Sequence, residues 1–100
     1  MTDNNYIDEI SDLVDSLRSI EKDLNISNFN ETEKKVYWTI LGSISKIGKC
    51  NITDVIKKSS LSRSTIYKTI NKFEHNNIVM IEQSGIDKRE FNINLKIDNN

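Results

Sequence analysis

The sequence predicts a mainly α-helical α+β fold, in which several helices come first and a β-hairpin follows. Apolar residues recur at helical spacing over 5–24, 31–47 and 63–74. The helical period then breaks in a β-rich segment at 78–83. A clean alternation of apolar and polar residues follows at 91–97, which is typical of a half-buried strand.

The size and composition indicate one globular domain. The chain has 100 residues, enough for a modest core. Hydrophobic residues make up 36% and charged residues 29%, as is normal for a soluble protein. No apolar run approaches the roughly 18 residues of a membrane span, and the acidic, polar N-terminus is unlike a secretory signal. With Cys50 as the single cysteine, no intrachain disulfide can form, which fits a reducing compartment. We therefore expect a cytoplasmic protein.

The charges are unevenly distributed along the chain. The formal net charge is −1, which by itself argues against a nucleic-acid-binding protein. Residues 1–24 carry seven acids and two bases, whereas residues 25–100 carry 12 bases and eight acids. From Lys57 to Lys72 there are five bases and no acid. A local basic face of this kind attracts a polyanion even when the total charge is negative.

The first predicted helix, over 5–24, is amphipathic and has an acidic outer face. Its apolar face needs a partner surface, which is either the rest of the domain or a second copy of the chain. We favour the second copy and predict dimerisation residues on this face. They are Ile7, Ile10, Leu13, Val14, Leu17, Ile20 and Leu24.

The second predicted helix spans 31–47. Asn30 is placed to cap its start, Glu33 stands where a capping box requires an acid, and Gly48 is placed to end it. Trp38 lies off the apolar face, either as a partly exposed anchor or as a contact to the first helix. The predicted buried face consists of Val36, Tyr37, Ile40, Leu41, Ile44 and Ile47.

A short third helix is predicted at 54–59, with Thr53 as its N-cap and with Val55 and Ile56 facing inward. The three residues 50–52 before it are consistent with a very short strand. A tight turn then leads into a longer helix. A short helix, a tight turn and a longer helix form the helix-turn-helix arrangement.

The fourth predicted helix starts after Ser62, its expected N-cap, and runs to about Asn76. Ile66, Ile70 and Phe73 recur at spacings that direct them into the core. Any exposed helix carries polar residues, but Asn, Ser and Thr can also bond base edges in a major groove, and Lys can bind phosphate. The candidate DNA-binding residues of this helix are Arg63, Ser64, Thr65, Tyr67, Lys68, Asn71 and Lys72.

The predicted hairpin completes the architecture. Its second strand directs Phe91, Ile93, Leu95 and Ile97 to one face. Helices followed by a hairpin, the wing, make a winged helix-turn-helix domain. We assign it to residues 29–100 and assign residues 1–28 to the N-terminal amphipathic helix, the dimerisation element.

Residues 29–97 resemble the winged helix-turn-helix core of MarR-like transcription regulators, and also that of the archaeal TrmB-like group. The resemblance rests on E-T-E-K-K-V-Y-W-T-I at 31–40 and on L-S-R-S-T-I-Y-K-T-I-N-K-F-E-H-N-N-I-V at 61–79. Its most specific element is D-K-R at 87–89, where MarR-like wings carry Asp-x-Arg.

The resemblance implies that Arg89 enters the minor groove and that Asp87 supports it, with Lys88 between them. An A·T-rich minor groove is narrow and attracts Arg through its enhanced negative potential. The alternative is an ordinary surface turn of mixed charge.

The chain also departs from the MarR-like pattern, because the sequence ends three residues after Ile97. We therefore expect the helices that dimerise such regulators beyond the wing to be absent. The resemblance accordingly gives little support to a small-molecule effector, and it supports the fold more firmly than any particular regulatory role.

Enzyme chemistry finds little support in the sequence. Cys50 and the single histidine, His75, have no spacing that suits zinc, and no glycine-rich phosphate loop occurs. We expect no catalytic residue, no metal site and no cofactor. Cys50 as a redox sensor is an alternative that rests on one residue alone.

Two functions from different classes follow. The favoured one is a homodimeric, sequence-specific regulator that binds double-stranded DNA, cytoplasmic and associated with the nucleoid. The alternative is a winged helix used for protein contact within a larger complex. Within DNA binding, a partition or architectural protein that coats DNA also fits the sequence.

Overall fold

Four helices precede a two-stranded antiparallel sheet in the computed structural model, which describes residues 4–83, 85 and 90–97. The elements are α1 (Asn4–Asp23), α2 (Glu31–Ile47), α3 (Ile52–Ser59), α4 (Arg63–His75), β1 (Val79–Gln83) and β2 (Phe91–Leu95). In the sheet, Val79 lies opposite Leu95 and Gln83 lies opposite Phe91. The predicted helices-then-hairpin architecture is confirmed.

The core lies between α2, α3, α4 and one face of the hairpin. At its centre the ring of Phe29 stacks on that of Phe73, with centroids 5.1 Å apart, and Tyr37 meets both rings edge-on. Offset stacking and edge-to-face contact are the geometries that aromatic quadrupoles favour. The buried apolar residues are Ile26, Val36, Tyr37, Ile40, Cys50, Ile52, Val55, Ile66, Ile70, Phe73, Val79 and Ile93.

The ends of α2 follow the prediction. The Asn30 side chain accepts a hydrogen bond from the Glu33 backbone N–H at 2.8 Å, and the Glu33 carboxylate accepts one from the Asn30 N–H at 2.9 Å. This reciprocal pair is a capping box. At the other end Gly48 adopts the left-handed conformation (φ 86°) and donates to the carbonyl of Ile44.

The start of α3 corrects the prediction, because Asn51 and not Thr53 is its N-cap. The Asn51 side chain accepts from the Asp54 N–H at 2.8 Å, and the Asp54 carboxylate accepts from the Asn51 N–H. Asp54 stands three residues after Asn51 and can close this box, whereas Ile56 stands three residues after Thr53 and cannot. Ile56 is only half-buried.

The short strand expected at 50–52 is reduced to one antiparallel bridge, between Asn51 and Asn92. The backbone N–H of Ile93 also donates to the carbonyl of Cys50, at 2.7 Å. The chain enters α3 directly after this contact, so no room remains for a longer ladder.

Three residues predicted to lie on buried faces are exposed instead. Ile47 is 59% exposed, Phe91 41% and Ile97 43%. All three lie at or beyond the end of an element: Ile47 is the last residue of α2, Phe91 is the first residue of β2, and Ile97 follows β2. Periodicity identifies which face of an element is apolar, but it does not show where the packing partner stops.

The first helix stands apart from this core. Every residue from 4 to 20 is exposed, and the apolar residues range from 40% for Val14 to 70% for Leu13. Only Glu21 is buried within α1. The apolar face of α1 is therefore not covered by its own domain. Leu24, predicted to belong to this dimerisation face, is the exception, because it follows α1 and packs half-buried against the core. No helix of the described residues, α1 included, is both long and apolar enough to cross a membrane.

The difference between Ile40 and Ile47 is testable by truncation. Ile40→Ala removes a fully buried side chain and should lower the free energy of unfolding by about 2–5 kcal/mol. Ile47→Ala, in the same helix, should change it by less than about 0.5 kcal/mol. Urea unfolding at equilibrium measures both. A similar loss for the two variants would show that Ile47 is buried after all.

Candidate nucleic-acid interface

The two sides of α4 differ sharply. Ile66, Ile70 and Phe73 are buried to 1% exposure or less, which fixes the rotation of the helix about its axis. The opposite side faces solvent. Of the predicted DNA-binding residues on α4, the exposed ones are Arg63, Ser64, Tyr67, Lys68, Asn71 and Lys72, while Thr65 is half-buried.

The turn between α3 and α4 sets how α4 leaves the core. Ser60 ends α3 in the left-handed conformation (φ 60°), and the hydroxyl of buried Ser59 accepts from the Leu61 N–H at 3.2 Å. Ser62 then caps α4 as predicted, accepting from the Thr65 N–H at 3.2 Å. These local bonds satisfy backbone groups that the tight turn would otherwise leave unpaired.

Three hydroxyls meet at the exposed N-terminal end of α4. The Ser62 hydroxyl lies 2.7 Å from that of Thr65 and 3.3 Å from that of Ser64. This end of a recognition helix is the one whose side chains reach base edges in helix-turn-helix proteins. Thr65 is thus already engaged with Ser62, while Ser64 is the more exposed of the two.

The two lysines on the face differ in their surroundings. The Lys72 ammonium forms a 2.5 Å ion pair with the Glu33 carboxylate, whose side chain is only 8% exposed. Lys68 makes no ion pair within the described part of the chain. Lys68 is therefore the better placed of the two for a phosphate contact.

The Glu33 carboxylate joins the start of α2 to α4. Its oxygens accept from the Lys72 ammonium and from the Asn30 N–H. The hydrogen bond from Lys72, followed by that from Asn30, lowers the pKa of Glu33 below its ordinary value, against the opposing effect of burial.

A cleft of about 450 Å³ separates the start of α2 from α4 and extends the candidate interface beyond the predicted residues. Thr32, in the first turn of α2, lines it together with Lys68 and Thr69. Sequence reasoning missed Thr32 because it is 36 positions away from Lys68 and nothing local marks the two segments as neighbours.

The predicted wing residues Asp87, Lys88 and Arg89 lie outside the described residues. The strand that follows them is anchored, however. The Glu90 carboxylate accepts from the Asn51 side-chain amide at 2.9 Å, next to the bridge between Asn51 and Asn92.

The alternative role of Cys50 as a redox sensor gains no support. The thiol is completely buried, and burial raises its pKa. Sensor cysteines are exposed and have a lowered pKa. Among residues 4–83, 85 and 90–97, no group of three or more His, Cys, Asp or Glu side chains could hold a metal ion.

A helix-turn-helix with an exposed second helix, followed by a hairpin, defines the winged-helix class of domains. A family model described as "Sugar-specific transcriptional regulator TrmB" matches residues 24–93. The chain therefore belongs to the TrmB family, which confirms the resemblance to TrmB-like regulators. Its relatives are regulators and not enzymes, as expected.

Solved structures support the fold. MarR superposes with a TM-score of 0.56 at 15% identity, over 91% of this chain and 64% of its own. Overoxidized AbfR bound to DNA gives 0.57 at 18% identity, over 93% and 66%. BpsR of Bordetella bronchiseptica, whose DNA binding is regulated by 6-hydroxynicotinic acid, gives 0.60 at 16% identity, over 76% and 51%.

The chain thus spans between about half and two thirds of the length of these solved proteins. Among curated proteins, none matches the sequence significantly. At these identities, the solved structures establish the fold alone: this chain shares the winged-helix fold of MarR-like proteins.

The ion pair of Glu33 predicts a pH-dependent contribution to stability. Glu33→Gln keeps the capping box but removes the charge that holds Lys72, and should lower the free energy of unfolding by about 1 kcal/mol at neutral pH. Because the folded-state pKa of Glu33 is lowered, this contribution is present above the ordinary carboxyl pKa and is lost as the pH falls through the lower folded value.

Urea unfolding at about pH 7 and about pH 3.5 measures this contribution. The difference in free energy of unfolding between the wild type and Glu33→Gln should be smaller at the lower pH. Glu31→Gln is the control, since Glu31 is an exposed acid in the same helical turn. An equal loss of unfolding free energy in Glu33→Gln and Glu31→Gln would contradict a stabilising ion pair between Glu33 and Lys72.

Proposed function

We propose that the chain is a sequence-specific transcription regulator that binds double-stranded DNA as a homodimer, with α4 in the major groove and the wing in the minor groove. The observation that carries the proposal is the outward face of α4. Three fully or almost fully buried residues hold the helix, so Ser64, Lys68 and Asn71 project away from the core together.

The residue types on this face suit both parts of DNA recognition. Asn71 can form two hydrogen bonds to adenine, and Ser64 and Tyr67 can bond base edges or phosphates. Lys68 and Arg63 provide positive charge for the backbone, which adds affinity without sequence information. Lys72 contributes less charge to this face, because Glu33 partly neutralises it.

The wing supplies the minor-groove contact in this proposal. Arg89 enters the groove, Asp87 supports the guanidinium, and Lys88 lies between them. The proposal draws support from the resemblance to Asp-x-Arg wings, and from the Glu90–Asn51 hydrogen bond, which ties the strand after Arg89 to the start of α3.

Homodimerisation places two recognition helices on one duplex. The exposed apolar face of α1 supports this arrangement, because monomeric proteins rarely leave such a continuous patch uncovered. Two copies of α4 would enter major grooves about 34 Å apart and require a roughly palindromic site. Such a regulator would act in the cytoplasm, associated with the nucleoid.

A protein-interaction module is the second candidate function. The net charge of −1 and the exposed apolar face of α1 favour it, since that face could contact a different protein. The oligomeric state separates the two candidates. A tight homodimer supports the regulator, and a monomer that aggregates through α1 supports the module.

A DNA-coating partition or architectural protein is a variant of the first proposal. It differs in the length of DNA that it protects. A regulator protects one bounded site as protein concentration rises, whereas a coating protein extends its footprint along the duplex. Footprinting over a protein titration therefore distinguishes them.

Two substitutions test the proposed contacts. Lys68→Ala should reduce the slope of log affinity against log salt by about one, because one phosphate contact is lost. Arg89→Ala should weaken binding, most of all to sites with A·T-rich flanks. Fluorescence anisotropy with a labelled duplex measures both.

Lys46→Ala is the matched control, since Lys46 is an exposed lysine in the last turn of α2, away from the proposed interface. It should leave both the affinity and the slope nearly unchanged. If Lys68→Ala and Arg89→Ala behave like this control, the residue assignment is wrong.

A further inference from the structure

The cleft between the start of α2 and α4 borders the face of α4 that is directed towards DNA in the proposed function. On α4 its lining is a stripe at spacings of three and four residues: Thr65, Lys68, Thr69 and Lys72. Lys68 belongs both to this stripe and to the outward face of α4. A DNA phosphate that Lys68 contacts would therefore lie at the mouth of the cleft, opposite the first turn of α2.

One hydroxyl in the cleft is available as a hydrogen-bond donor. Of the three threonines that line it, Thr65 already accepts from the Ser62 hydroxyl, and Thr69 donates to the Thr65 carbonyl at 2.8 Å. The Thr32 hydroxyl makes no hydrogen bond with the part of the chain that the structure describes. Because threonine hydroxyls donate to phosphate oxygens in protein–DNA complexes, Thr32 can bind the phosphate that Lys68 contacts.

An ion pair sets the charge of the cleft. Three of its lining residues are charged, namely Glu33, Lys68 and Lys72. The Glu33 carboxylate binds the Lys72 ammonium, so among these lining residues only Lys68 carries a charge without an opposite partner. A phosphate that enters the cleft therefore meets one uncompensated positive charge instead of two.

The two partners of this ion pair differ in their freedom to move. The Glu33 side chain is buried, and its second oxygen accepts from the Asn30 N–H in the capping box, which fixes the carboxylate. The Lys72 side chain is 58% exposed, and its flexible stem lets the ammonium turn away from Glu33. Since water screens an ion pair whose cation is exposed, a phosphate can compete with Glu33 for this ammonium.

We propose that the cleft binds one phosphate of the DNA backbone through Lys68 and Thr32, and that Glu33 limits the affinity by holding Lys72 back from this phosphate. Glu33 thus lowers the affinity for any duplex without contacting a base, because phosphate contacts carry no sequence information. The inference rests on the DNA binding of the proposed function and specifies one contact within it.

Neutralising Glu33 tests this restraint. Glu33→Gln keeps an oxygen for the Asn30 N–H but releases Lys72, which should strengthen binding to a labelled A·T-rich duplex about threefold at about 50 mM salt. The slope of log affinity against log salt should become steeper by about one, because one more ammonium displaces a counterion. Fluorescence anisotropy between about 50 and 200 mM salt measures both quantities.

Two further variants identify the source of the gain. Glu33→Gln combined with Lys72→Met removes both charges of the pair and should return the affinity and the slope to nearly the wild-type values. Glu31→Gln removes an exposed acid from the same helical turn and should leave the slope nearly unchanged. Far-ultraviolet circular dichroism under the assay conditions shows that each variant is folded.

Thr32→Val tests the hydroxyl independently of the ion pair. It nearly preserves the size of the side chain but removes the donor, so binding should weaken about threefold or more. The salt slope should stay the same, because a hydroxyl carries no charge. Thr39→Val is the control, since Thr39 lies about two turns further along the same side of α2, outside the cleft. It should leave binding unchanged.

Unchanged or weaker DNA binding by Glu33→Gln would overturn the restraint, and so would a gain that persists when Lys72 is also replaced. Wild-type affinity in Thr32→Val would overturn the phosphate contact in the cleft. In each of these cases, binding of the duplex by the wild-type chain leaves the proposed function intact. A wild-type chain that binds no duplex at about 50 mM salt would instead refute the proposed function, and this inference with it.

Discussion

The burial of one side of α4 is the constraint on which the rest of the structure depends. Ile66, Ile70 and Phe73 are in the core, and Phe73 stacks on Phe29. Burying such side chains stabilises a fold by about 1.5–3 kcal/mol each, so the three together approach the total stability of a small domain. Rotating α4 by about half a turn about its axis would expose them and bury Lys68. The polar face of α4 is therefore directed outward by the burial of the opposite, apolar face, and not by contacts of the polar residues themselves.

The same architecture explains how a slightly acidic chain can present a basic face. The acids of α1 lie on a helix that projects from the core, and the molecule extends 54 Å along its longest axis. Glu33, the acid that contacts α4, is held by Lys72 and by the start of α2. The face that carries Lys68 and Arg63 can thus attract a polyanion although the chain as a whole is slightly acidic.

Interactions between residues close in sequence were predictable. The capping box of Asn30 and Glu33, the cap at Ser62 and the buried side of α4 all depend on spacings of three or four residues. The cap of α3 is also local, but the prediction placed it at Thr53. Asp54 stands three residues after Asn51 and closes a capping box with it, and this criterion could have been applied to the sequence.

Interactions between distant segments were not predictable. Lys72 and Glu33 are 39 residues apart, and no pattern in either segment indicates their ion pair. The exposure of Ile47 depends on where the packing of α2 ends, which helical periodicity does not contain. The groove between α1 and the first half of α2, which Trp38 partly lines, likewise depends on how α1 leaves the core.

The central claim is that α4 and the wing form a DNA-binding surface. The most direct test is fluorescence anisotropy of the wild-type chain with a labelled A·T-rich duplex, at about 50 and about 200 mM salt. We predict binding at the lower salt concentration and a steep loss of affinity at the higher one, because Lys and Arg displace counterions from phosphates. An absence of binding at about 50 mM salt would contradict a DNA-binding role and would favour the protein-interaction module.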